Sequence, residues 1–325
     1  MTLTRRAFSA SLGAAAVSLA RPGVARASEP LVVGYVLANS IHWAQCVAIE
    51  KGYYRELGFD AQAAVIQSSP HSIQMAISGG FQIATSQPEP FVAAVERGAS
   101  NLGAISAPMN SADWALVGAS TVKTLADLKG QVIGVSSLRT SESWLTSKLL
   151  VAKGFKKGDV TFLQAGTSPA KVTALQKGAV SAAVLYQPTA ELAIGQGLPL
   201  LARYGTMRSY PTVLYVVNKE WAAKGDAGKR VAQAIQRAHG WLWDPANKAE
   251  AIKILAEYTK RNETILNRVY QEYFVTGEIY GRKGEIELAG LRRALDDMAE
   301  DGEVFKTAPP AKKFVLDPSL GAILA

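Results

Sequence analysis

The feature that most constrains the fold is a regular alternation of short apolar runs and helical patterns between residues 31 and 218. The apolar runs have the length of strands, and most lead into a stretch in which apolar residues recur at helical spacing. Because buried strands connected through helices tend to pair in parallel and to be covered on both faces, this alternation predicts an α/β protein with mainly parallel sheets. The predicted strands are 31–36, 59–66, 81–86, 101–107, 114–119, 131–136, 160–165, 182–187, 199–204 and 213–218. The predicted helices between them are 41–57, 70–79, 88–98, 141–153, 168–178 and 188–195.

The pattern changes after residue 219, and this change suggests how the chain is organised. The later segments are predicted to be helices without clear strands, at 219–258, 262–274 and 285–302. Residues 28–117 and 213–325 are predicted to form lobe one, and residues 118–212 to form lobe two. On this division the chain leaves lobe one near Ala119, returns with the strand at 213–218, and packs its C-terminal helices back on lobe one.

The first 27 residues have the features of an export signal. Arg5 and Arg6 precede an apolar run of 11 residues, 10–20, and Ala25-Arg26-Ala27 is a small-residue cleavage pattern. The run is about half the roughly 20 residues that a membrane-spanning helix needs. The paired arginines indicate the twin-arginine (Tat) route. We therefore expect a signal peptide that is cleaved after Ala27 and a mature chain in the periplasm.

Much of the positive charge is concentrated in this leader. The formal net charge is +8, and four positive charges come from the arginines of residues 1–27, which contain no acidic residue. The remaining excess is mild and scattered, whereas nucleic-acid binding needs a basic stripe with interleaved aromatic residues. We therefore expect no nucleic-acid partner and a modest preference for anionic solutes.

Motifs for metal or cofactor chemistry are missing from the sequence. Three histidines and a single cysteine, Cys46, give neither H-E-x-x-H nor C-x-x-C, and there is no phosphate-binding G-x-x-x-x-G-K-[ST] loop. A lone cysteine also excludes an intrachain disulfide. Residues 134–143, GVSSLRTSES, lack the final glycine of a G-x-S-x-G nucleophile elbow. The sequence predicts no cofactor, no metal site and no enzyme activity, and it favours a helix cap and anion cradle at 134–143.

Three phrases resemble one protein family. Residues 47–66 (VAIEKGYYRELGFDAQAAVI) look like the first helix and second strand of periplasmic solute-binding proteins of the nitrate/sulfonate/taurine, thiamine-pyrimidine-synthase-like type. Residues 123–137 (KTLADLKGQVIGVSS) resemble the phrase that opens their second lobe. Residues 172–188 (VTALQKGAVSAAVLYQP) resemble the helix and strand that end at their ligand cleft. Where the family often has an acidic residue in G-x-V-D-A turns, this chain has Gln82 and Ser181.

The resemblance implies a type II periplasmic-binding-protein fold, in which two α/β lobes joined by two crossovers close on one small molecule. It also implies transient docking to the membrane permease of an ABC transporter, without membrane insertion and without catalysis. We expect the mature chain to be a monomer. Because the G-x-V-D-A turns depart from the family pattern, the resemblance carries over no particular solute.

Candidate ligand-binding residues follow from strand order, because ligands of open α/β sheets bind beyond the carboxyl ends of the strands. On lobe one these loops supply Asn39, His42, Trp43, Ser69, His71, Gln87 and Asn110. On lobe two they supply Ser136, Ser137, Arg139, Thr140, Ser141, Tyr186, Gln187 and Arg208. Several of the loops lead into helices, whose unpaired N–H groups attract anions, and Ser69, Thr140 and Ser141 are good capping types.

Arginine and aromatic residues define the expected ligand chemistry. Arg139 or Arg208 can hold a carboxylate or sulfonate through two hydrogen bonds, and Trp43 and Tyr186 provide flat apolar walls. Each arginine could instead be a solvated surface residue, and Trp43 could instead anchor the core. Glu89 is interpreted as a helix-start carboxylate that becomes important only for a cationic solute.

The sequence therefore predicts the periplasmic solute-binding component of an ABC importer. Its solute is expected to be a small organic anion, a sulfonate or carboxylate including aromatic ones, held in the cleft between the lobes. The alternative is a cysteine-dependent enzyme resembling the aromatic-sulfinate desulfinases on this fold, with Cys46, His71 and Arg139 at its centre. Against that alternative, Cys46 falls within the first helical pattern, where a buried small thiol is usual, and the chain carries an export leader.

Overall fold

The computed structural model describes residues 28–36, 39–66, 68–205 and 209–325. The predicted signal peptide and Arg208 lie outside these ranges. Within them, each predicted strand is present, with its ends moved by up to three residues. The strands are β1 Glu29–Val36, β2 Phe59–Ile66, β3 Ala84–Ser86, β4 Leu102–Ser106, β5 Ala115–Gly118, β6 Gln131–Val135, β7 Val160–Gln164, β8 Ala182–Leu185, β9 Leu200–Arg203 and β10 Leu214–Asn218. The largest change is at β3, where the side-chain oxygen of Gln82 accepts from the N–H of Val32 at 2.7 Å and replaces a regular ladder bond.

Helices form where apolar residues recur at helical spacing, and the long C-terminal segments break into shorter helices. They are α1 Trp43–Glu50, α2 Tyr53–Glu56, α3 Ser69–Ile77, α4 Pro88–Glu96, α5 Ser141–Val151, α6 Ser168–Gln176, α7 Thr189–Gly195, α8 Lys219–Ala223, α9 Ala227–Trp243, α10 Lys248–Thr259, α11 Glu263–Tyr270 and α12 Leu288–Asp301. Short 3-10 turns lie at Ser40–His42, Leu125–Leu128, Lys224–Asp226, Pro245–Asn247, Ala311–Phe314 and Pro318–Leu320, and a π-helical segment, Gln271–Thr276, follows α11.

Local capping chemistry sets where two of the important helices begin. Thr140 caps α5 in a capping box with Ser143, as its residue type predicts. At α3 the cap is Ser68, whose side chain accepts from the N–H of His71 at 3.4 Å. The prediction of Ser69 as a cap was therefore one residue too late. Ser69 lies in the first turn of α3, and its hydroxyl accepts from the N–H of Gln87 at 3.1 Å.

The strands form two groups that the chain visits in turn. The first group contains the parallel pair β1-β2 and the sheet β3-β10-β4, which a bridge between Val33 and Ile83 links to each other. The second is a five-stranded sheet in the order β7-β6-β8-β5-β9. Its first strand in the chain starts at Ala115, close to the residue predicted to open lobe two.

The α/β fold class is confirmed, but two strands run against the predicted parallel pattern. β5 is antiparallel to both β8 and β9, and β10 is antiparallel to both β3 and β4. These are the two strands with which the chain enters the sheet of the other group. Each comes directly from the other sheet, without the covering helix that a parallel crossover requires. The remaining pairs, β1-β2, β6-β7 and β6-β8, are parallel as predicted.

Helices cover both faces of both strand groups. In the first group, α1 packs against α9 and α10 on one face, while α12 packs with α4 on the other. In the second, apolar residues of α5 lie on one face and those of α6 and α7 on the opposite face. The C-terminal helices thus return to the first group. In the part of the chain that the structure describes, none of the helices combines the length and apolar character needed to cross a bilayer.

Trp43 belongs to the core of the first group, which corrects its predicted role as a pocket wall. Its side chain is completely buried, and the indole N–H donates to the carbonyl of Ala251 at 2.9 Å. Its ring lies 5.5 Å from that of Phe274 and 5.9 Å from that of Tyr270, in edge-to-face geometry. The Trp43 side chain therefore packs the start of α1 against α10 and α11.

Candidate functional site

The two strand groups are joined by hydrogen bonds at the carboxyl ends of their strands. Gln87 follows β3 and Tyr186 follows β8, and the Gln87 amide donates to the Tyr186 hydroxyl at 3.0 Å. The next residue after Tyr186 makes a second contact: the carbonyl of Gln187 accepts from the N–H of Ser40 at 3.0 Å. Strand ends are where an open α/β sheet offers free polar groups, so this is the expected position for a ligand.

A buried ion pair holds Tyr186 from the side of the five-stranded sheet. The Tyr186 hydroxyl donates to Glu142 Oε1 at 2.8 Å, and Glu142 Oε2 lies 3.1 Å from Lys171 Nζ. Both charged side chains have no exposed surface. Ser136 completes the network: its N–H donates to Glu142 Oε2 at 2.8 Å, and its hydroxyl accepts from Lys171 at 3.0 Å. Burial lowers the pKa of Lys171, while the neighbouring Glu142 opposes that change.

A second carboxyl, that of Glu89, faces Tyr186 from the first group. Ser141 donates its hydroxyl to Glu89 Oε1, and Tyr210 donates to the same oxygen at 3.3 Å. Burial raises the pKa of Glu89 to about 7, although these hydrogen bonds act in the opposite direction. Its other oxygen, Oε2, is buried and makes no hydrogen bond to any described residue. The hydroxyl of Ser141 therefore binds a protein carboxyl at the start of α5, where the sequence predicted an anionic ligand.

Asp113, just before β5, is a third buried carboxyl in this region. Tyr273 donates its hydroxyl to Asp113 Oδ2, and Tyr273 in turn shares a hydrogen bond of 2.9 Å with the Ser40 hydroxyl. Burial raises the pKa of Asp113 to about 7, and the nearby Glu272 carboxyl adds to the effect. As in Glu89, one carboxyl oxygen, Oδ1, is buried without a partner among the described residues.

Burial and acidic neighbours disfavour ionisation of the Tyr186 hydroxyl. Burial raises the pKa of Tyr186 well above its ordinary value. The carboxyls of Glu142, Asp113 and Glu89 raise this pKa further. Of the three, Glu142 contacts the hydroxyl directly.

Further polar atoms next to the strand ends are also buried and unpaired within the described ranges. The indole N–H of Trp114 is one of them, and its ring lies 5.3 Å from the Tyr186 ring. The hydroxyls of Thr189, at the start of α7, and Thr212, just before β10, are the others. Buried polar groups in proteins are nearly always hydrogen-bonded, so these unpaired groups at the strand ends are candidate contacts for a bound molecule. We call the carboxyls of Glu89 and Asp113, the Trp114 N–H and these two hydroxyls the polar ring.

Several predicted residues lie at or next to this polar ring. Gln87, Ser136, Ser141 and Tyr186 are in the hydrogen-bonded network itself. Thr140 donates to the carbonyl of Ser137 at 3.0 Å and keeps the turn before α5 closed. Both residues therefore shape the loop.

Two more predicted residues form the contact between the strand groups beside the ring. Asn39 caps the turn at Ser40–His42 by accepting from the N–H of Ile41, and it forms a bridge with Pro188. The Gln187 amide donates to Glu272 Oε2 at 2.8 Å. The backbones and amides of these residues are thus engaged within the protein.

The side chains of two other predicted residues make no hydrogen bond to this network. Asn110 donates to the carbonyl of Glu285 at 2.8 Å and fixes the C-terminal segment. His71 is exposed on α3.

His42 lies in the 3-10 turn that precedes the first helix. It is completely buried between Tyr35 and Tyr215, with ring centroids 6.5 and 6.2 Å away. Burial lowers the pKa of His42 to about 3, so the imidazole is neutral at physiological pH. The chain turns inward at Ser40–His42 and directs this side chain under β10, and both ring nitrogens are buried without a partner among the described residues, so His42 as a ligand contact stays a prediction.

Arg139 forms an ion pair with Glu303 at the surface, which corrects its prediction as the anion-binding cation. The side chain is 61% exposed, and Glu303 is 45% exposed. The backbone of Arg139 is left-handed, with φ of 57°, where the chain reverses direction before α5. Arg208, the other predicted arginine, lies outside the described residues.

Replacing Arg139 by alanine is therefore expected to leave solute affinity within about twofold of the original and to change the free energy of unfolding by less than about 1 kcal/mol. Ion pairs that are this exposed contribute little because water screens both charges. Calorimetric titration of any solute identified for the protein, with Arg139→Ala beside the unaltered chain, measures this. A tenfold loss of affinity would return Arg139 to the ligand site.

The residues that sequence reasoning missed are the buried charges. Glu142 was part of the quoted hydroxyl-rich stretch, and Glu89 was interpreted as a helix-start carboxylate, but neither pattern shows burial. Lys171, on α6, was not predicted as a site residue, since a single lysine in a helix is usually exposed. Asp113 and Trp114 directly precede β5, and their position beside a predicted strand is the one signal that could have identified them.

The structure gives the cysteine a core position. Cys46 lies within α1 and is buried among apolar side chains. Burial raises the pKa of its thiol, so the nucleophilic thiolate is disfavoured. Arg139, the cation that the desulfinase alternative needs, is paired with Glu303. The structure therefore does not support this alternative.

The chain crosses twice between the two strand groups, and buried polar groups lie where their strands end. This is the fold of the periplasmic binding proteins. The chain belongs to the NMT1/THI5-like family, whose model matches residues 39–249, more than half of its length.

Relatives and solved structures agree with this assignment. A protein of Brucella abortus described as a binding protein is 27% identical over 251 residues, which cover 74% of this chain and 75% of the relative. The ligand-binding component of an ABC-type import system from Staphylococcus aureus has a TM-score of 0.73 at 14% identity, covering 90% of this chain and 98% of its own. The alkanesulfonate-binding protein of Xanthomonas axonopodis pv. citri has a TM-score of 0.70 at 19% identity, with the same coverage of 90% and 98%.

Proposed function

We propose that this protein is the solute-binding component of an ABC importer and that it acts in the periplasm after export through its N-terminal signal. The observation that carries the proposal is the polar ring around Tyr186, where the two strand groups meet. Proteins of similar fold named as components of import systems support it. The proposal includes a transient complex with a membrane permease and a monomeric mature chain.

Mechanistically, the two strand groups act as two lobes, residues 28–117 with 213–325 and residues 118–212. The hydrogen bonds Gln87–Tyr186, Ser141–Glu89 and Ser40–Gln187 link these lobes in the closed arrangement. A solute that contacts both lobes stabilises closure through its differential affinity for the closed form. Binding alone accomplishes this, and the solute is expected to leave the protein chemically unchanged.

The solute class proposed from the sequence is a small organic anion, a sulfonate or carboxylate. The alkanesulfonate-binding neighbour supports testing that class first. The described cation nearest Tyr186, Lys171, is already paired with Glu142, so it gives an anion no free positive charge. Among the described residues, the helix N-termini at α4 and α5 and the free donors of the polar ring are groups that could hold an anionic oxygen.

A thermal-shift panel tests the proposed function. At a free concentration one hundred times its Kd, a solute adds about 2.7 kcal/mol of stability, which raises the Tm by roughly 4 °C in a chain of this size. The panel comprises aliphatic and aromatic sulfonates and carboxylates, nitrate, taurine and thiamine-type pyrimidines. The Arg139→Ala variant serves as a control and should give the same shifts. If no member raises the Tm, and native mass spectrometry finds no co-purified small molecule, the binding function is refuted.

A further inference from the structure

We propose that a contact between α5 and α12 sets the balance between the open and closed arrangements of the two lobes, and that Lys148 and Asp297 are its positioning residues. α5 belongs to lobe two and α12 to lobe one. We call Trp144 and Lys148 of α5, together with Ala294 and Asp297 of α12, the α5–α12 contact. The inference rests on the lobe movement in the proposed function and concerns residues outside the polar ring.

The apolar part of the α5–α12 contact crosses between the lobes in both directions. Trp144 packs against the apolar cluster of lobe one that contains Leu291 and Leu295 of α12. Ala294 belongs to the apolar cluster of lobe two that contains Leu145 of α5, and it has no exposed surface. Since each helix contributes a side chain to the core of the other lobe, separation of the lobes exposes apolar surface to water.

The charged part of the α5–α12 contact is an ion pair in which the two partners differ in burial. Lys148 Nζ pairs with Asp297 Oδ1, and the side chain of Asp297 is 5% exposed whereas that of Lys148 is 49% exposed. Asp297 Oδ2 is buried and makes no hydrogen bond to any described residue. Burial raises the pKa of Asp297, and Lys148 opposes that change through its hydrogen bond and its charge. Lys148 is therefore the described cation that compensates this buried carboxylate.

The two ends of α5 are held to lobe one at separate points. At its start, Ser141 donates to Glu89 of the polar ring, and seven residues later Lys148 pairs with Asp297. Seven residues are about two helical turns, or about 10 Å, so both side chains lie on the same face of α5. Because the second point lies outside the polar ring, a change at Lys148 reaches a solute only through the position of α5.

The difference in burial fixes the direction of the effect. In the open form α5 moves away from α12, and water solvates Asp297. Closure removes that water, and the ammonium group of Lys148 replaces it. Loss of the Lys148 charge therefore penalises the closed form, leaves the open form unaffected, and shifts the population towards open molecules.

Spin labels on opposite lobes measure this balance in the protein without any solute. Lys177→Cys on lobe two and Lys224→Cys on lobe one place the labels at exposed positions, and Cys46 is buried and does not react. Double electron–electron resonance then gives the distribution of distances between the lobes. Adding Lys148→Met to this labelled protein should lower the ratio of closed to open molecules about tenfold. The effect is smaller than for a fully buried pair because Lys148 is half-exposed.

Matched variants separate the charge from a change in packing. Lys148→Arg retains the cation, so its ratio should stay within about twofold of that of the labelled protein. Lys148→Met/Asp297→Asn removes both charges and should recover most of the shift, because no unpaired carboxylate is buried on closure. Arg139→Gln breaks the ion pair with Glu303, which joins the same two lobes at an exposed position, and should change the ratio less than about twofold.

The outcomes that overturn the inference are distinct from those that test solute binding. A labelled protein without a measurable closed population, a ratio in Lys148→Met within about twofold of the labelled protein, or an equal loss in Lys148→Arg each refutes it. If Lys148→Met does not fold, Trp144→Ala should shift the population in the same direction by removing the apolar part, and no shift there refutes the inference. The thermal-shift panel judges the binding function separately.

Discussion

Replacing Lys171 by methionine will destabilise the protein by about 3–5 kcal/mol, one of the largest losses expected from a single substitution here. The reason is the ion pair with Glu142, in which both side chains are fully buried. Removing the ammonium group leaves a buried carboxylate with only neutral donors, the Ser136 N–H and the Tyr186 hydroxyl. Denaturant unfolding, followed by circular dichroism at neutral pH, measures the change.

Two further variants separate this explanation from a simple packing defect. The double variant Lys171→Met/Glu142→Gln removes both charges together, and it should recover most of the lost stability because no unpaired charge stays buried. Lys229→Met breaks the exposed pair with Asp226 and should cost less than about 1 kcal/mol. A loss below about 1 kcal/mol in Lys171→Met, or a double variant no better than the single one, would contradict the role assigned to the pair.

Trp43→Ala is expected to cost about 3–5 kcal/mol, because it removes a fully buried indole and leaves a cavity that its neighbours fill only in part. The loss includes the hydrogen bond from the indole N–H to Ala251 and the edge-to-face contacts with Phe274 and Tyr270. Trp43→Phe, which retains a ring, should cost less than the alanine variant. Equilibrium unfolding of both variants provides the comparison.

The same pair of variants distinguishes the core position of Trp43 from the pocket wall that the sequence predicted. A core residue changes the free energy of unfolding and has little effect on the Kd of variants that remain folded. A wall residue does the reverse. Normal stability together with weakened solute binding in Trp43→Ala would therefore restore the earlier interpretation.

Elements that depend on neighbouring residues could be predicted. The apolar runs predicted the strands, and Thr140, a predicted capping residue, caps α5, whereas the cap of α3 is Ser68 and not Ser69. Gln87 was identified as a site candidate because it directly follows a predicted strand, and Tyr186 because it lies at the end of one. The antiparallel direction of β5 and β10 was not predicted, since an apolar run has no direction relative to a partner elsewhere in the chain.

Burial of polar residues could not be predicted in the same way. An arginine in a hydroxyl-rich loop resembles an anion-binding residue, but Arg139 meets Glu303, more than 160 positions further along, at the surface. His42 and Trp43 are adjacent in the chain and follow Asn39 by three and four residues. Only the packing of α1 beneath β10 and beside α10 directs both side chains inward.

The sequence by itself determined the α/β class, the order of strands and helices, the loops that end at the strand tips, and the resemblance to solute-binding proteins. These depend on patterns within a few residues of each other, which the local chemistry of the chain fixes. Only the tertiary structure decided which charges are buried together: Glu142 with Lys171, Glu89 with Ser141, and Asp113 with Tyr273. Each of these pairs joins residues about 30 to 160 positions apart, and the energy of a buried charge depends on such distant partners because they replace the water it has lost.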